Sequence, residues 1–172
     1  MSDRAQAASD RAASDSHPAS LWDWALIAYR AEGVPEACLS LQDAHGHNVP
    51  LLLWAAWMAG TGRTLDSDMV EAGCDTARAW DAAAVTPLRA IRRTLKKPLP
   101  DIDDTAREAL RTQVKAAELA AERHLLAGLE ALAGPPVDPP APAIEGLVAV
   151  ARGWSRVVPR PALIHLAERL PA

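Results

Sequence analysis

The chain has no phenylalanine and few β-branched residues among its 172 positions, while alanine fills more than a fifth of them. Sheets draw on aromatic and branched side chains, whereas alanine has the best helix propensity, so the mixture excludes a β-rich fold and points to an all-α one. Cysteine occurs only at Cys38 and Cys74. Neither belongs to a C-x-x-C pair, and no signal peptide is evident, which fits reduced thiols in a cytoplasmic protein. No apolar run approaches the roughly 20 residues that cross a bilayer. The longest, at 49–60, reads as a buried core helix. Basic residues are not in excess, and a net charge of −4 argues against general nucleic-acid binding. No Gly-rich phosphate loop, nucleophile elbow or Ser/His/Asp order can be read, and no cofactor is expected.

What remains is a chain of ordinary apolar (49%) and charged (23%) content, long enough for one domain with a real core. Residues 1–19 repeat a Ser-Asp-Arg-Ala theme with almost no large apolar side chain, and are expected to form a disordered tail. The helical period then predicts a compact bundle of about six helices across 20–133. Ser20 caps the first, with Gly33 as its C′ residue. The second starts near Pro35 and closes at Gly46, and the third runs from Asn48 to Gly60. A fourth, capped by Asp66 or Ser67, reaches about 84; a fifth starts near Pro87 and reaches 97. The sixth and longest spans 103–133. Its apolar stripe is read as Leu110, Val114, Ala117, Ala121, Leu125, Gly128 and Leu132. A Pro-rich linker, GPPVDPPAP at 134–142, leads to two short C-terminal helices within 143–172.

Two features carry chemistry. The first is the polar hinge between helices two and three, holding Gln42, Asp43, His45, Gly46, His47 and Asn48. Asp43, His45 and His47 are of metal-binding types, but no fourth ligand is evident. The adopted reading has Asp43 ending a helix, both histidines solvated in the turn, and no metal site. Gln42 and Asn48 would satisfy helix ends. The second feature is the fifth helix. Its Leu88, Ile91 and Leu95 form a narrow apolar face, and Arg89, Arg92, Arg93, Lys96 and Lys97 line the other. Those cations could attract a phosphate-bearing ligand, an anionic membrane or an acidic partner. The favoured reading is neutralisation by acids on a neighbouring helix: Asp101, Asp103, Asp104 and Glu108 at its end, Glu118 and Glu122 farther along. The tryptophans replace phenylalanine in the core, with Trp22 or Trp57 available to line a groove.

The runs W-x-W-A-L-x-A-Y from Trp22, CLSLQDAHGHNVPLLLWAAW, PLRAIRRTLK and AAELAAER resemble a bacterial family of short helical proteins of unknown function, domain of unknown function 2390. The resemblance covers roughly 20–132 and is most specific at the Leu-Gln-Asp-x-x-Gly hinge and the Pro-Leu-Arg-x-x-Arg-Arg segment. At Pro50 the chain departs from the family pattern, which has a polar residue such as Asn there. The resemblance implies an all-α cytoplasmic protein and supplies no activity.

Three functions compete. The first is a non-catalytic interaction module whose apolar-plus-basic groove receives another protein. The second is an enzyme or small-ligand binder holding an anionic substrate between the hinge and the basic face. That reading requires the two segments to share a concavity. The third is peripheral attachment to anionic lipid through the basic helix. Residues expected at a ligand or partner site are Gln42, Asp43, Asn48, Arg89, Arg92, Arg93, Lys96, Glu118 and Glu122.

Overall fold

A computed structural model describes residues 20–171, so the tail expected at 1–19 lies outside the described residues. Every regular element among them is helical: α1 (Leu21–Ala28), α2 (Val34–Asp43), α3 (Val49–Gly60), α4 (Ser67–Trp80), a π segment (Asp81–Val85), α5 (Thr86–Thr94), α6 (Asp104–Leu132), α7 (Ala143–Trp154) and α8 (Arg160–Ala167). No helix among the described residues is long and apolar enough to cross a membrane.

The centre of the bundle is α3. Its sequence, VPLLLWAAWMAG, carries no charge, and every residue at 51–59 is buried. A helix that is apolar all round must be covered all round. Here α1, α2, α4, α6 and α7 pack against it, and α8 closes the structure against α2 and α7. Leu147, Val150, Leu163 and Leu166 are fully buried in the same core as Trp54 and Leu125. The two C-terminal helices therefore dock on the bundle. Each large apolar side chain so buried is worth about 1.5–3 kcal/mol.

Residues legible in the sequence start the helices. Ser20, Asn48, Asp66 and Asp103 each accept a hydrogen bond from the backbone N–H three residues on, at 3.1, 3.0, 2.9 and 2.8 Å. The first helix ends earlier than expected, at Ala28, not just before Gly33. Val34 is wholly buried and Pro35 offers no N–H, so the chain must turn before a new helix can start there. Gly33, in the left-handed region at φ 79°, makes that turn. The segment after Trp80 also differs from expectation. Pro87 stands in the first turn of α5, as expected, but the helix before it does not stop: the backbone widens into the π segment, and the Thr86 N–H reaches back five residues to the Asp81 carbonyl. The wider turn relieves the clash between a proline ring and the carbonyl four residues before it.

Two helix glycines let their helices pack closely on α3. A Cβ on Gly146 would stand 2.5 Å from the Ala55 carbonyl oxygen, so α7 rests directly on α3. One on Gly73 would stand 2.5 Å from the Trp54 ring, which fixes α4 against the same helix. Residues 134–142 run back along the end of α3 as a strap. The N–H groups of Val137 and Asp138 donate to the Gly62 carbonyl at 2.9 and 3.0 Å, and that of Ala141 to the Ala59 carbonyl at 2.9 Å.

Because the obstacle at Gly146 is backbone, Gly146→Ala is expected to cost about 2 kcal/mol in urea unfolding. Gly60→Ala, where a Cβ meets nothing within 4 Å, is expected to change stability by less than about 0.5 kcal/mol. Equal effects at the two positions would contradict the packing described.

Candidate functional site

The fifth helix of the sequence reading and α6 form an antiparallel pair, and their charges meet between them. Arg89 Nε donates to Glu118 at 3.0 Å and its Nη2 donates to Glu122 at 3.2 Å. Arg92 holds Glu118 through both Nε and Nη2. Two guanidinium and two carboxylate groups thus form one neutral cluster, with the Arg89 and Glu118 side chains only 17% and 9% exposed. This is the neutralisation favoured from sequence, with a correction to its partners. Among the described residues, Asp104 and Glu108 pair with Arg107 and Arg111 of their own helix, not with α5. Arg107 reaches across to the Leu95 carbonyl, a cation at the negative end of α5.

The expected ridge of five outward cations is also corrected. Arg89 and Arg92 turn inward, while Arg93, Lys96 and Lys97 face solvent. Ile91, assigned to the apolar face, is half exposed. Both Ile91 and Arg92 lie between Leu88 and Leu95 at helical spacing, and the two glutamates across the interface select Arg92. In α6 the buried stripe takes Glu118, while Ala117 and Leu110 face outward.

Burial pushes the Glu118 carboxyl up, but the hydrogen bonds from Arg92 and Arg89 more than reverse this, and it titrates below its ordinary value of 4.5. Glu122, one turn on, is raised by burial and by the charge of Glu118, with Arg89 opposing only in part. Two neighbouring carboxyls are thus driven apart. Beside them stand two residues that the sequence reading did not single out. Burial pushes the Tyr29 hydroxyl up and the Cys38 thiol up to about 11, so Cys38 is an inert thiol. No chemical motif marks either residue; only their place, Tyr29 at the end of α1 and Cys38 on α2 opposite the charge cluster, brings them in.

The hinge lies against the same cluster. Three hollows, of about 690, 300 and 190 Å³, share Gln42, Val49 and Glu122. The largest runs between α2 and α6 and has Arg89, Arg92 and Glu118 among its lining. The second continues to Trp22 and Leu26 on α1, and the smallest lies behind the hinge. The hinge and the inward arginines therefore share a concavity. Asn48 caps α3, as expected. Gln42 donates to the Asp43 carboxylate at 3.2 Å, not to a helix end. Asp43 stands at the rim, 3.4 Å from Arg93. Lys96 lies beyond the end of α5, in the turn leading away.

The histidines part company. His45 is exposed, but His47 is buried, which corrects the reading of both as solvated. Gly46, at φ 67°, turns the chain so that the amides of Gly46 and His47 bond back to Gln42 and Leu41, and the His47 ring faces inward. Neither ring nitrogen has a hydrogen-bond partner among the described residues. Burial holds the imidazole below its ordinary value of 6.5, and a backbone group of Val157, without ordinary hydrogen-bond geometry, pulls the other way. No three His, Cys, Asp or Glu side chains among the described residues are grouped so as to hold a metal ion.

Two stability effects follow. Glu118→Gln leaves two half-buried guanidiniums short of a charge and is expected to cost about 3 kcal/mol in chemical unfolding at neutral pH. A loss below about 1 kcal/mol would make the cluster a surface pair in energetic terms. For His47, the unfolded chain takes up a proton near pH 6.5 that the folded chain resists. Stability should therefore fall as pH drops below that value, and His47→Gln should flatten the slope between about pH 7 and 5.

No curated protein and no solved structure matches the chain. A family model does match it, over residues 20–129, which take in α1 to α5 and nearly all of α6. That segment holds the hinge, the tyrosine and thiol beside it, and all four members of the charge cluster. The chain belongs to the family described as protein of unknown function, DUF2390.

Proposed function

We propose that the protein is a non-catalytic helical interaction module whose groove between α1–α2 and α6 receives an amphipathic helix of a partner protein. The observation that carries this reading is the exposure of apolar side chains along one concavity. Leu26, Tyr29, Leu39 and Leu119 are 41–56% exposed and all line the two larger hollows. Soluble proteins rarely leave large apolar side chains together around a groove unless something covers them. A helix presenting apolar residues at i, i+3 or i+4, and i+7 suits such a trough. The neutral floor of paired arginines and glutamates offers hydrogen bonds without favouring a partner of either sign.

A reading as an enzyme or small-ligand binder for an anionic substrate gains from the shared concavity but loses from the same pairing, since each inward arginine already spends two of its three nitrogens on carboxylates. Attachment to anionic lipid has three outward cations in place of five.

Photo-crosslinking in the producing cell tests the groove. A benzophenone amino acid at Leu39 or Leu119 is expected to form adducts with a discrete protein, and Leu119→Arg should abolish those formed from position 39. The same label at Ile164, equally exposed on α8 but outside the groove, should form none. Adducts from Ile164 alone, or the same adducts from all three positions, would remove the proposal.

A further inference from the structure

The smallest hollow does not belong to the groove's apolar walls. It lies between the first turn of α3 and the π segment, and its volume of about 190 Å³ is well above the roughly 30 Å³ of one water in the liquid. Trp154 closes one side, its indole N–H donating to the Gly46 carbonyl at 2.9 Å. Besides Trp154, seven polar side chains line it: Gln42, His47, Asn48, Asp81, Thr86, Arg89 and Glu122, with the Thr86 hydroxyl donating to Asp81 at 3.0 Å.

Two independent features mark this as a place for a ligand. One is the N-terminus of α3, whose dipole favours a negative group, the Leu51 amide being held by Asn48 and Pro50 having none to give. The other is His47, only 3% exposed, whose ring nitrogens have no ordinary hydrogen-bond partner among the described residues, one of them being turned toward the Val157 backbone. A buried polar group without a partner is costly, by about 1–3 kcal/mol, so a structure that retains one has reason to do so. A neutral imidazole offers one donor and one acceptor, and with one nitrogen directed at the Val157 backbone the other is left for a ligand.

The lining charges narrow the class. Arg89 spends Nε and Nη2 on the two glutamates, leaving Nη1 for a ligand, and the Asn48 amide NH2 is free of the cap made by its oxygen. These donors, with the helix N-terminus, suit a carboxylate. Asp81 and Glu122 supply carboxyl oxygens of the opposite sense, which suit an ammonium group. A simple anion would meet two acidic side chains, and a simple cation would meet a guanidinium and a helix N-terminus. We infer that this cavity binds a small zwitterion, a free α-amino acid, with its carboxylate toward Asn48 and Arg89 and its ammonium toward Asp81 and Glu122. The site does not depend on any partner occupying the groove.

The test uses the full chain labelled with nitrogen-15. Each common α-amino acid is titrated singly to millimolar concentration, with acetate and methylammonium as single-charge controls. The imidazole signals of His47, identified by their loss in His47→Gln, and the indole N–H of Trp154 report on the two sides of the cavity. At least one amino acid is expected to shift both signals saturably, while neither control does. Asp81→Asn should weaken that binding by about tenfold, the loss of one charge contact, without changing the thermal midpoint. If no amino acid moves the signals, the cavity holds water only and the inference falls. Saturation by acetate as strong as by any amino acid would equally overturn it, since the ligand would then be a simple anion. These outcomes are separate from the crosslinking result, which reads the groove.

Discussion

An uncharged helix that must be hidden on every side governs this structure. Because α3 has no polar face to offer water, each neighbour is placed by the need to cover part of it. The covering is tight where side chains are absent, at Gly146 over the Ala55 carbonyl and at Gly73 over the Trp54 ring. Phenylalanine is missing, so bulk comes from tryptophan and leucine, and alanine and glycine let backbones close the gaps that remain. The polar hinge and the charge cluster sit where this covering runs out, at the start of α3.

The charge cluster is a compromise between burial and pairing. Replacing such a group by apolar residues of like volume is often neutral or stabilising, so its presence is weak evidence for stability as such. Its effect here is to put a hydrogen-bonding, electrically balanced floor beneath an otherwise apolar groove. Driving the two carboxyls apart follows from their different partners: Glu118 is gripped by two guanidiniums, whereas Glu122 has one and the charge of Glu118 beside it.

Much of the fold was legible in the residues because helix caps and apolar period are local. Asn48, Asp66 and Asp103 each begin a helix that their side chains cap. The failures are equally physical. Periodicity places Ile91 and Arg92 equally well between Leu88 and Leu95, so only the partner across the interface decides which turns in. Glu118 lies four residues after Val114 and three before Ala121, inside the buried stripe. Treating charge as a sign of the outer face hid it. That spacing, set beside two arginines a turn apart on the preceding helix, was the available signal. The inward turn of His47 depends on Gly46, which the hinge displays, and on a distant loop near Val157, which it does not. Tyr29 and Cys38 join the site through tertiary packing alone.

The segment shared with the family ends before α7 begins. Yet Leu147, Val150, Leu163 and Leu166 complete the shell around the central helix, and the strap at 134–142 threads them there by bonding to Ala59 and Gly62. The matched segment and the structurally complete unit therefore have different borders in this molecule. A relative sharing only the matched stretch would inherit a greasy, uncovered flank, which it must shield with an unrelated appendage, a sister subunit or polar replacements along α3.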